Sequence, residues 1–178
     1  MTGSATPTVV VDGKALAQTI RAQLAEEIAE LVGAGHRAPC LAVVLVGDNP
    51  ASLSYIKGKR RACERVGMAS REHNLPADAT QEDVVDRIHS LNRDPHVDGI
   101  LVQLPLPKPL EAAPVIQAID PAKDADGLHP ENAGRLLAGL PGLRPCTPLG
   151  ILEVLDRHRV PLEGASAVVI GRSVLVGK

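Results

Sequence analysis

Two short, continuous aliphatic runs constrain the fold of this chain more than any other feature. They are LAVVLVG at residues 41–47 and DGILVQL at residues 98–104. An aliphatic run this short, without polar alternation, predicts a strand buried on both faces, as in a parallel sheet covered by helices. Residues 165–170 have the same character, and a weaker strand is predicted at residues 70–75.

Segments with helical patterns separate these runs. Apolar residues recur at helical spacing between Gly13 and Val32. Further helices are predicted at residues 52–66, stopped by Gly67, and from Thr80 to about residue 92, where the run TQED resembles a capping box. Strands that alternate with helices predict an α/β fold with a parallel sheet and crossover helices.

The stretch from Pro105 to Pro148 differs from the rest because it contains nine prolines. Only short helices are predicted within it, at residues 112–119 and 131–137, so it is expected to form rigid loops that border a cleft. Thr147 is the predicted cap of a following helix, which would have Pro148 in its first turn. We place a domain boundary here, with residues 1–147 in one domain and residues 148–178 at the start of a second.

Composition and charge exclude several classes of protein. A hydrophobic content of 44% and a mean hydropathy of +0.05 are typical of a packed globular protein. The net charge of −2 gives no electrostatic reason to expect nucleic acid or an anionic membrane as a partner. No apolar run reaches the roughly 18 residues of a membrane span, and no signal peptide is evident. The three cysteines are too dispersed for a disulfide framework or a zinc site, and the cytoplasm is the expected compartment.

Tyr55 and Lys59 form the first candidate site. They are four residues apart on a predicted helix and therefore share a face. A lysine in a pocket loses solvation, which lowers its pKa and lets it exchange protons near neutral pH. The phenol beside it offers a flat face for a ring to stack on. The alternative is an ordinary basic helix surface, because Lys57, Arg60 and Arg61 lie in the same segment.

Gln103 is the second candidate, at the carboxyl end of the strand at residues 98–104, where ligands of open α/β sheets bind. It could hydrogen-bond a polar heterocycle or hold a lysine in place, or it could be a simple strand exit. The third candidate is Asp126 in the run KDADGL. It could accept bidentate hydrogen bonds from an amino-pyrimidine edge, whereas the alternative is an Asx-turn closed by Gly127. The segment lacks the ligands of a calcium loop, so no metal site is predicted.

Gly171, Arg172 and Ser173 follow the predicted strand at residues 165–170, and a strand followed by a glycine turn is the context of a dinucleotide-binding site. The glycine spacing fits neither G-x-G-x-x-G nor a Walker A loop. Arg172 could meet an additional phosphate, which favours NADP over NAD.

Taken together, the order of these motifs resembles the bifunctional methylenetetrahydrofolate dehydrogenase/methenyltetrahydrofolate cyclohydrolase family, often called FolD. The resemblance covers nearly the whole chain and rests on six motifs, which are PASLSYIKGK (50–59), DGILVQLPLP (98–107), KDADGL (123–128), NAGRL (132–136), PCTPLG (145–150) and GRSVLVG (171–177).

This resemblance implies a two-step reaction in one cleft, in which methylenetetrahydrofolate transfers a hydride to NADP⁺ and water converts the methenyl product to formyltetrahydrofolate. Catalytic roles are implied for Lys59, for Tyr55, which would stack on the folate, for Gln103, which would orient Lys59, and for Asp126, which would bind the pterin edge. The implied substrate-binding set is Ser52, Tyr55, Lys59, Val102, Gln103, Leu104 and Asp126. The implied cofactor-binding set is Gly171, Arg172 and Ser173.

The resemblance further implies tetrahydrofolate derivatives as partners, a homodimer, and a place in one-carbon metabolism that serves purine, histidine and methionine biosynthesis. Family members continue beyond Lys178, so the chain is expected to carry only the start of a Rossmann-type nucleotide domain. Two alternatives stay open. One is a non-catalytic folate-binding or dimerising fragment without a complete cofactor site, and the other is a different two-domain dehydrogenase, such as a shikimate-dehydrogenase-like enzyme.

Overall fold

A computed structural model describes residues 10–173, and it has a three-stranded parallel sheet at its centre. The strands are β1 (Cys40–Val46), β2 (Ala69–Leu75) and β3 (Gly99–Val102), and β1 lies in the middle of the order β2-β1-β3. Val43 of β1 pairs with Glu72 on one side and with Leu101 on the other. The predicted α/β class with a parallel sheet is confirmed.

Helices precede, connect and follow the strands, close to where the sequence predicts them. Their bounds are α1 (Gly13–Gly33), α2 (Pro50–Val66), α3 (Gln81–Arg93), α4 (Ala112–Gln117), α5 (Pro130–Leu137) and α6 (Cys146–Arg157), with a 3-10 turn at Pro121–Lys123. Within residues 10–173, no helix is long and apolar enough to cross a bilayer.

Two hydrophobic clusters cover the two faces of the sheet. The larger one contains Val44 of β1, Val84 and Ile88 of α3, and Val115 of α4. The smaller one joins Val43, Leu45 and Leu101 to Ile56 of α2. Because successive residues of a strand point to opposite faces, Val43 and Val44 belong to different clusters. Buried aliphatic runs in β1 and β3 therefore supply both clusters.

The ends of two helices follow from short-range capping chemistry. Thr80 accepts a hydrogen bond from the Asp83 backbone N–H through its hydroxyl oxygen (3.1 Å), and the Asp83 carboxylate accepts one from the Thr80 backbone N–H (2.8 Å). The predicted capping box is therefore present. α2 begins earlier than predicted because the Asn49 side chain caps its first turn and Pro50 occupies the first helical position. Gly67 ends α2 in the left-handed conformation.

Two predictions about the last part of the chain were wrong. Residues 165–170 form no strand, and Val168 and Ile170 are 88% and 96% exposed. An aliphatic run becomes a strand only when a neighbour pairs with it, and no described strand lies beside this one. Thr147 is not the cap of α6, because the helix begins at Cys146 after Pro145 and has no side-chain cap.

Candidate functional site

Lys59 and Gln103 meet at the carboxyl edge of the sheet. The Lys59 side-chain nitrogen donates a hydrogen bond to Gln103 Oε1 over 3.2 Å, and Lys59 is half-buried. Strand alternation explains the meeting, since Leu101 packs against Ile56 of α2 and Gln103 points to the same face of the sheet. Lys59 lies three residues after Ile56, on the side of α2 that faces β3.

Gln103 is itself fixed at both ends. Its backbone N–H donates to the Val44 carbonyl (2.9 Å), which extends the pairing with β1 by one residue beyond β3. Its side-chain amide donates to the Leu104 carbonyl (2.7 Å), which leaves Oε1 directed at Lys59. A glutamine held in this way orients the amine of the lysine.

Tyr55 and Ser52 lie on the first half of α2, in very different environments. Tyr55 is 68% exposed, one helical turn before Lys59, so its ring is available for stacking. Ser52 is buried in the first turn, where its backbone N–H donates to the Asn49 side chain (3.3 Å). The helix thus brings an exposed aromatic ring next to a half-buried amine.

Val102 and Leu104 flank Gln103, and their side chains point away from it. Val102 is buried in the larger cluster, and Leu104 packs against the same cluster. A molecule beside Gln103 would therefore meet these two residues mainly through their backbone groups.

Asp126 stands in a turn beside β3. The turn is closed by a hydrogen bond from the Gly127 N–H to the Asp124 carbonyl (3.2 Å), and the Ala125 N–H donates to the Ile100 carbonyl (3.2 Å). Gly127 has φ of +65°, and a Cβ there would come within 2.6 Å of the Pro145 nitrogen. The turn is therefore pressed against the start of α6, and only glycine fits at this point.

The environment of Asp126 makes its ionisation less favourable than that of an exposed aspartate. Burial raises the pKa of the Asp126 carboxyl, the Lys59 charge opposes this shift, and the nearby Asp124 carboxylate adds to it. Of the predicted site residues, Lys59 and Gln103 are joined by a hydrogen bond, Asp126 lies within the electrostatic influence of Lys59, and Tyr55 is on the adjoining helical turn.

The sequence analysis missed the contribution of the PCTPLG segment to this site. Cys146 and Thr147 line a cavity of about 160 Å³ together with Asp126 and Leu128. The Cys146 thiol donates to the Ala125 carbonyl (3.5 Å), and burial, with Asp126 close by, raises the pKa of the thiol. The sequence did contain a signal for this contribution, because the PCTPLG motif follows directly on the proline-rich loops that were predicted to border a cleft.

The residues predicted to bind a cofactor lie in the last described part of the chain. Gly171, Arg172 and Ser173 are exposed, and Gly171 has φ of +140°, which an L-residue rarely adopts. Apart from its chain neighbours, no atom of the described residues lies within 4 Å of where a Gly171 Cβ would stand.

A larger surface depression, of about 570 Å³, lies away from these residues. It is lined by Leu75, Ala79, Asp83, Arg87 and others, and contains none of the predicted site residues. Asp83, one of the polar residues that line it, is engaged in the cap of α3. In the described part of the chain, no three histidine, cysteine or acidic side chains are grouped to hold a metal ion.

Solved structures share this architecture. A methylenetetrahydrofolate dehydrogenase from the silkworm Bombyx mori is 44% identical with a TM-score of 0.94, and the match covers 96% of this chain and 59% of that one. A FolD from Trypanosoma brucei, whose structure is described as a complex with NADP cofactor and inhibitor, is 35% identical with a TM-score of 0.90. That match covers 97% of this chain and 59% of the other.

Curated relatives agree with the structures. The bifunctional protein FolD of Desulfovibrio desulfuricans is 52% identical over 170 residues, which are 96% of this chain and 60% of that protein. The chain thus spans about 60% of the length of the relatives it matches. Residues 11–126 match the catalytic domain of the tetrahydrofolate dehydrogenase/cyclohydrolase family, and residues 145–178 match its NAD(P)-binding domain. The chain therefore belongs to the tetrahydrofolate dehydrogenase/cyclohydrolase family.

Proposed function

We propose that this chain carries the catalytic centre of an enzyme that oxidises methylenetetrahydrofolate with NADP⁺ and then hydrolyses the methenyl product to formyltetrahydrofolate. The observation that carries the proposal is the Lys59–Gln103 hydrogen bond next to Asp126, at the carboxyl edge of a parallel sheet. This edge is where open α/β sheets bind ligands. The relatives named above, a bifunctional FolD and a methylenetetrahydrofolate dehydrogenase, support the choice of substrate.

Each side chain has a role in the hydrolytic step. The Tyr55 ring stacks on the pterin, and Asp126 accepts hydrogen bonds from its amino-pyrimidine edge. Lys59, oriented by Gln103, takes a proton from the water that attacks the methenyl carbon. A C–O bond forms and becomes the formyl carbonyl, one C–N bond of the bridge breaks, one proton of the water goes to the released ring nitrogen, and the other leaves through Lys59. Ser52 supports the first turn of α2, and Val102 and Leu104 offer backbone groups to the substrate.

The cofactor belongs to the second part of the chain in this proposal. Residues 1–147 form the folate-binding domain, and residues 148–178 begin a Rossmann-type NADP-binding domain. Gly171, Arg172 and Ser173 lie against the phosphates and ribose of the cofactor. NADP⁺, when bound, supplies the acceptor for the hydride that leaves the methylene carbon. The Trypanosoma brucei structure with NADP supports this cofactor over NAD.

The substitution Lys59→Met tests the proposal. It removes the proton acceptor while keeping a side chain of similar length, so methenyltetrahydrofolate hydrolysis should fall at least about 100-fold, a typical contribution of a general base. Tetrahydrofolate binding should stay close to that of the parent chain. Decay of the methenyl absorbance measures the first quantity and calorimetry the second.

Lys57→Met is the matched control, because Lys57 is an exposed lysine on the same helix. It should hydrolyse at the parent rate. Hydrolysis by Lys59→Met at the parent rate would refute the role of Lys59. The parent chain could instead bind tetrahydrofolate without catalysing either step. It would then form no methenyl absorbance with methylenetetrahydrofolate and NADP⁺ and would not hydrolyse methenyltetrahydrofolate. That result would favour a non-catalytic folate-binding fragment.

We also propose that the protein is a cytoplasmic homodimer that supplies one-carbon units for purine, histidine and methionine biosynthesis, with no nucleic-acid or membrane partner. Strand β2 supports the dimer, because it is an edge strand of the described sheet and an unpaired edge invites association. Three unpaired cysteines suit a reducing compartment. Sedimentation at micromolar concentration should give twice the chain mass, and a monomer mass would contradict the dimer.

A further inference from the structure

The NAGRL motif contains a buried asparagine to which the proposed reaction gives no role. Asn132 is 3% exposed, and Asp124 of the KDADGL motif is 1% exposed. Together with Ser52 they are the buried polar side chains of the described residues. Burying a carboxylate is costly unless hydrogen bonds satisfy it, so this pair needs an explanation.

Asp124 and Asn132 bind each other across the fold. Asp124 Oδ2 accepts hydrogen bonds from the Asn132 side-chain amide (2.9 Å) and from the His129 backbone N–H (2.8 Å). The same amide of Asn132 donates to the Pro121 carbonyl (2.9 Å). One side chain on α5 therefore joins the start of the 3-10 turn to the carboxylate two residues before Asp126.

The other side of the turn is tied to the sheet. Asp124 forms a parallel bridge with Ile100 of β3, and the Ala125 N–H donates to the Ile100 carbonyl (3.2 Å). Asp126 thus stands in a turn that is held by β3 on one side and by α5 on the other. Neither α5 nor Asn132 belongs to the predicted site, yet both fix the backbone from which Asp126 projects.

We propose that Asp124 and Asn132 are positioning residues, which use their shared hydrogen bond to hold the Asp126 carboxylate in place beside Lys59. This inference rests on the proposed function of Asp126 as the pterin-binding carboxylate. Both donors that meet Asp124 Oδ2, the Asn132 amide and the His129 backbone N–H, are neutral groups. The charge of Asp124 also contributes to the environment of Asp126, which is faced by Lys59, Asp124 and Cys146.

Three substitutions in the 178-residue chain separate position from charge. Asn132→Leu removes the donors and keeps the branching of the side chain at Cγ. Asp124→Asn removes the charge, while its amide oxygen can still accept the two hydrogen bonds that Oδ2 accepts. Asn92→Leu is the matched control. Asn92 also holds the chain between α4 and the 3-10 turn. Its side-chain amide donates a hydrogen bond to the Ala118 carbonyl (2.8 Å), and its side-chain oxygen accepts one from the Asp120 N–H (2.9 Å). Neither hydrogen bond involves the turn that carries Asp126.

The first measurement follows the NMR signal of the Asp126 carboxyl carbon as the pH is changed. The signal is assigned as the one that is missing from the spectrum of Asp126→Asn. In Asn132→Leu the turn loosens, water reaches the carboxyl, and its titration midpoint should fall towards that of an exposed aspartate. It should also fall in Asp124→Asn, where the neighbouring charge is gone. Asn92→Leu should titrate like the parent chain.

The second measurement is the affinity for tetrahydrofolate. Asn132→Leu should weaken binding about tenfold, the size typical of one hydrogen bond to a charged group. In the Asp126→Asn background the same substitution should change binding less than about twofold, because it acts through Asp126. Asn92→Leu should bind like the parent chain, although thermal melting should show that it is destabilised.

An equal loss of affinity in both backgrounds, or an unchanged Asp126 midpoint in folded Asn132→Leu, would overturn the inference. Where Asn132→Leu does not fold, Asn132→Ser takes its place, because its shorter side chain no longer reaches Asp124, and an unchanged Asp126 midpoint in that variant is the contradicting result. A parent chain that binds no tetrahydrofolate would instead refute the proposed function. The titration, which needs no folate, would then still decide whether Asp124 and Asn132 control Asp126.

Discussion

At the scale of single residues, Asp126 and Asp98 show how two carboxylates in one fold acquire opposite pH dependence. Burial raises the pKa of Asp126, so the folded state favours its protonated form. Asp98 accepts hydrogen bonds from Arg37 (2.6 and 2.8 Å), which lower its pKa and favour its ionised form. The stability of the fold should therefore respond in opposite directions when each charge is removed.

We expect Asp126→Asn to gain stability relative to the parent chain as the pH rises above about 4, the ordinary range for an aspartate, because the parent must then ionise a buried carboxyl. Asp98→Asn should show the reverse. Asp98→Asn should be less stable than the parent chain by the full amount at pH 7. This difference should disappear in acid, because the Asp98 carboxyl of the parent is then protonated in the folded state as well. Urea unfolding of the three proteins between about pH 3 and pH 7 measures both slopes, and parallel curves would contradict the assignment.

Gly127 gives a second prediction at this scale. In Gly127→Ala the new Cβ would overlap the backbone of Arg144 and Pro145, and the residue would keep its positive φ. We expect a loss of about 2–4 kcal/mol, the sum of left-handed strain and overpacking. Gly139→Ala is the control, since Gly139 has φ of +70° with nothing within 4 Å of a Cβ, and it should lose only about 1 kcal/mol. Equal losses in denaturant unfolding would mean that the turn moves freely away from α6.

Local sequence patterns named candidates for the site but not the residues that hold them in place. Helical spacing relates Tyr55 to Lys59, and Gln103 follows an aliphatic run, whereas the roles of these residues came from the family resemblance and stay predictions. Asp124 and Asn132 meet only because the chain brings α5 beside β3, and no local pattern reports a contact of that kind. A buried polar pair becomes visible only when the fold is known.

At the scale of elements, the beginning of α3 depends on the Thr80 capping box. The Asp83 carboxylate accepts hydrogen bonds from both the hydroxyl (2.7 Å) and the backbone N–H (2.8 Å) of Thr80. Thr80→Ala should reduce the free energy of unfolding by about 1 kcal/mol, the usual contribution of such a cap. Thr19→Ala is the control, because the Thr19 hydroxyl only donates back to the Ala15 carbonyl within α1 (3.2 Å), an arrangement that stabilises a helix little. If denaturant unfolding shows that Thr80→Ala loses no more free energy of unfolding than Thr19→Ala, the role of the cap is contradicted.

The sequence predicted best those helix ends that are set by residues close to one another in the chain. The capping box at Thr80 and the glycine stop at Gly67 define helix ends without reference to the rest of the fold. The strand expected at residues 165–170 failed because a strand depends on a neighbour, which a hydrophobic run cannot supply. The predicted cap at Thr147 failed for a related reason, since the loop that ends at Pro145 sets where α6 begins.

At the scale of the whole molecule, burial is distributed unevenly along the chain. β1, β3 and α3 supply most of the two hydrophobic clusters. In contrast, α6 has no buried residue, and Ile151 and Leu152 are 48% and 47% exposed. Because local opening requires less free energy where few apolar contacts are lost, α6 should open independently of the sheet.

Hydrogen exchange measured by mass spectrometry tests this division. Amides of β1 and α3 should exchange only through global unfolding, whereas those of α6 should exchange at least about 100-fold faster. Ile88→Val should lower global stability by about 1 kcal/mol, because Ile88 is fully buried in the larger cluster. It should therefore speed exchange in β1 and α3 together by about fivefold and leave α6 unchanged. If exchange in α6 accelerates as well, α6 unfolds with the sheet, and the two regions share one cooperative unit.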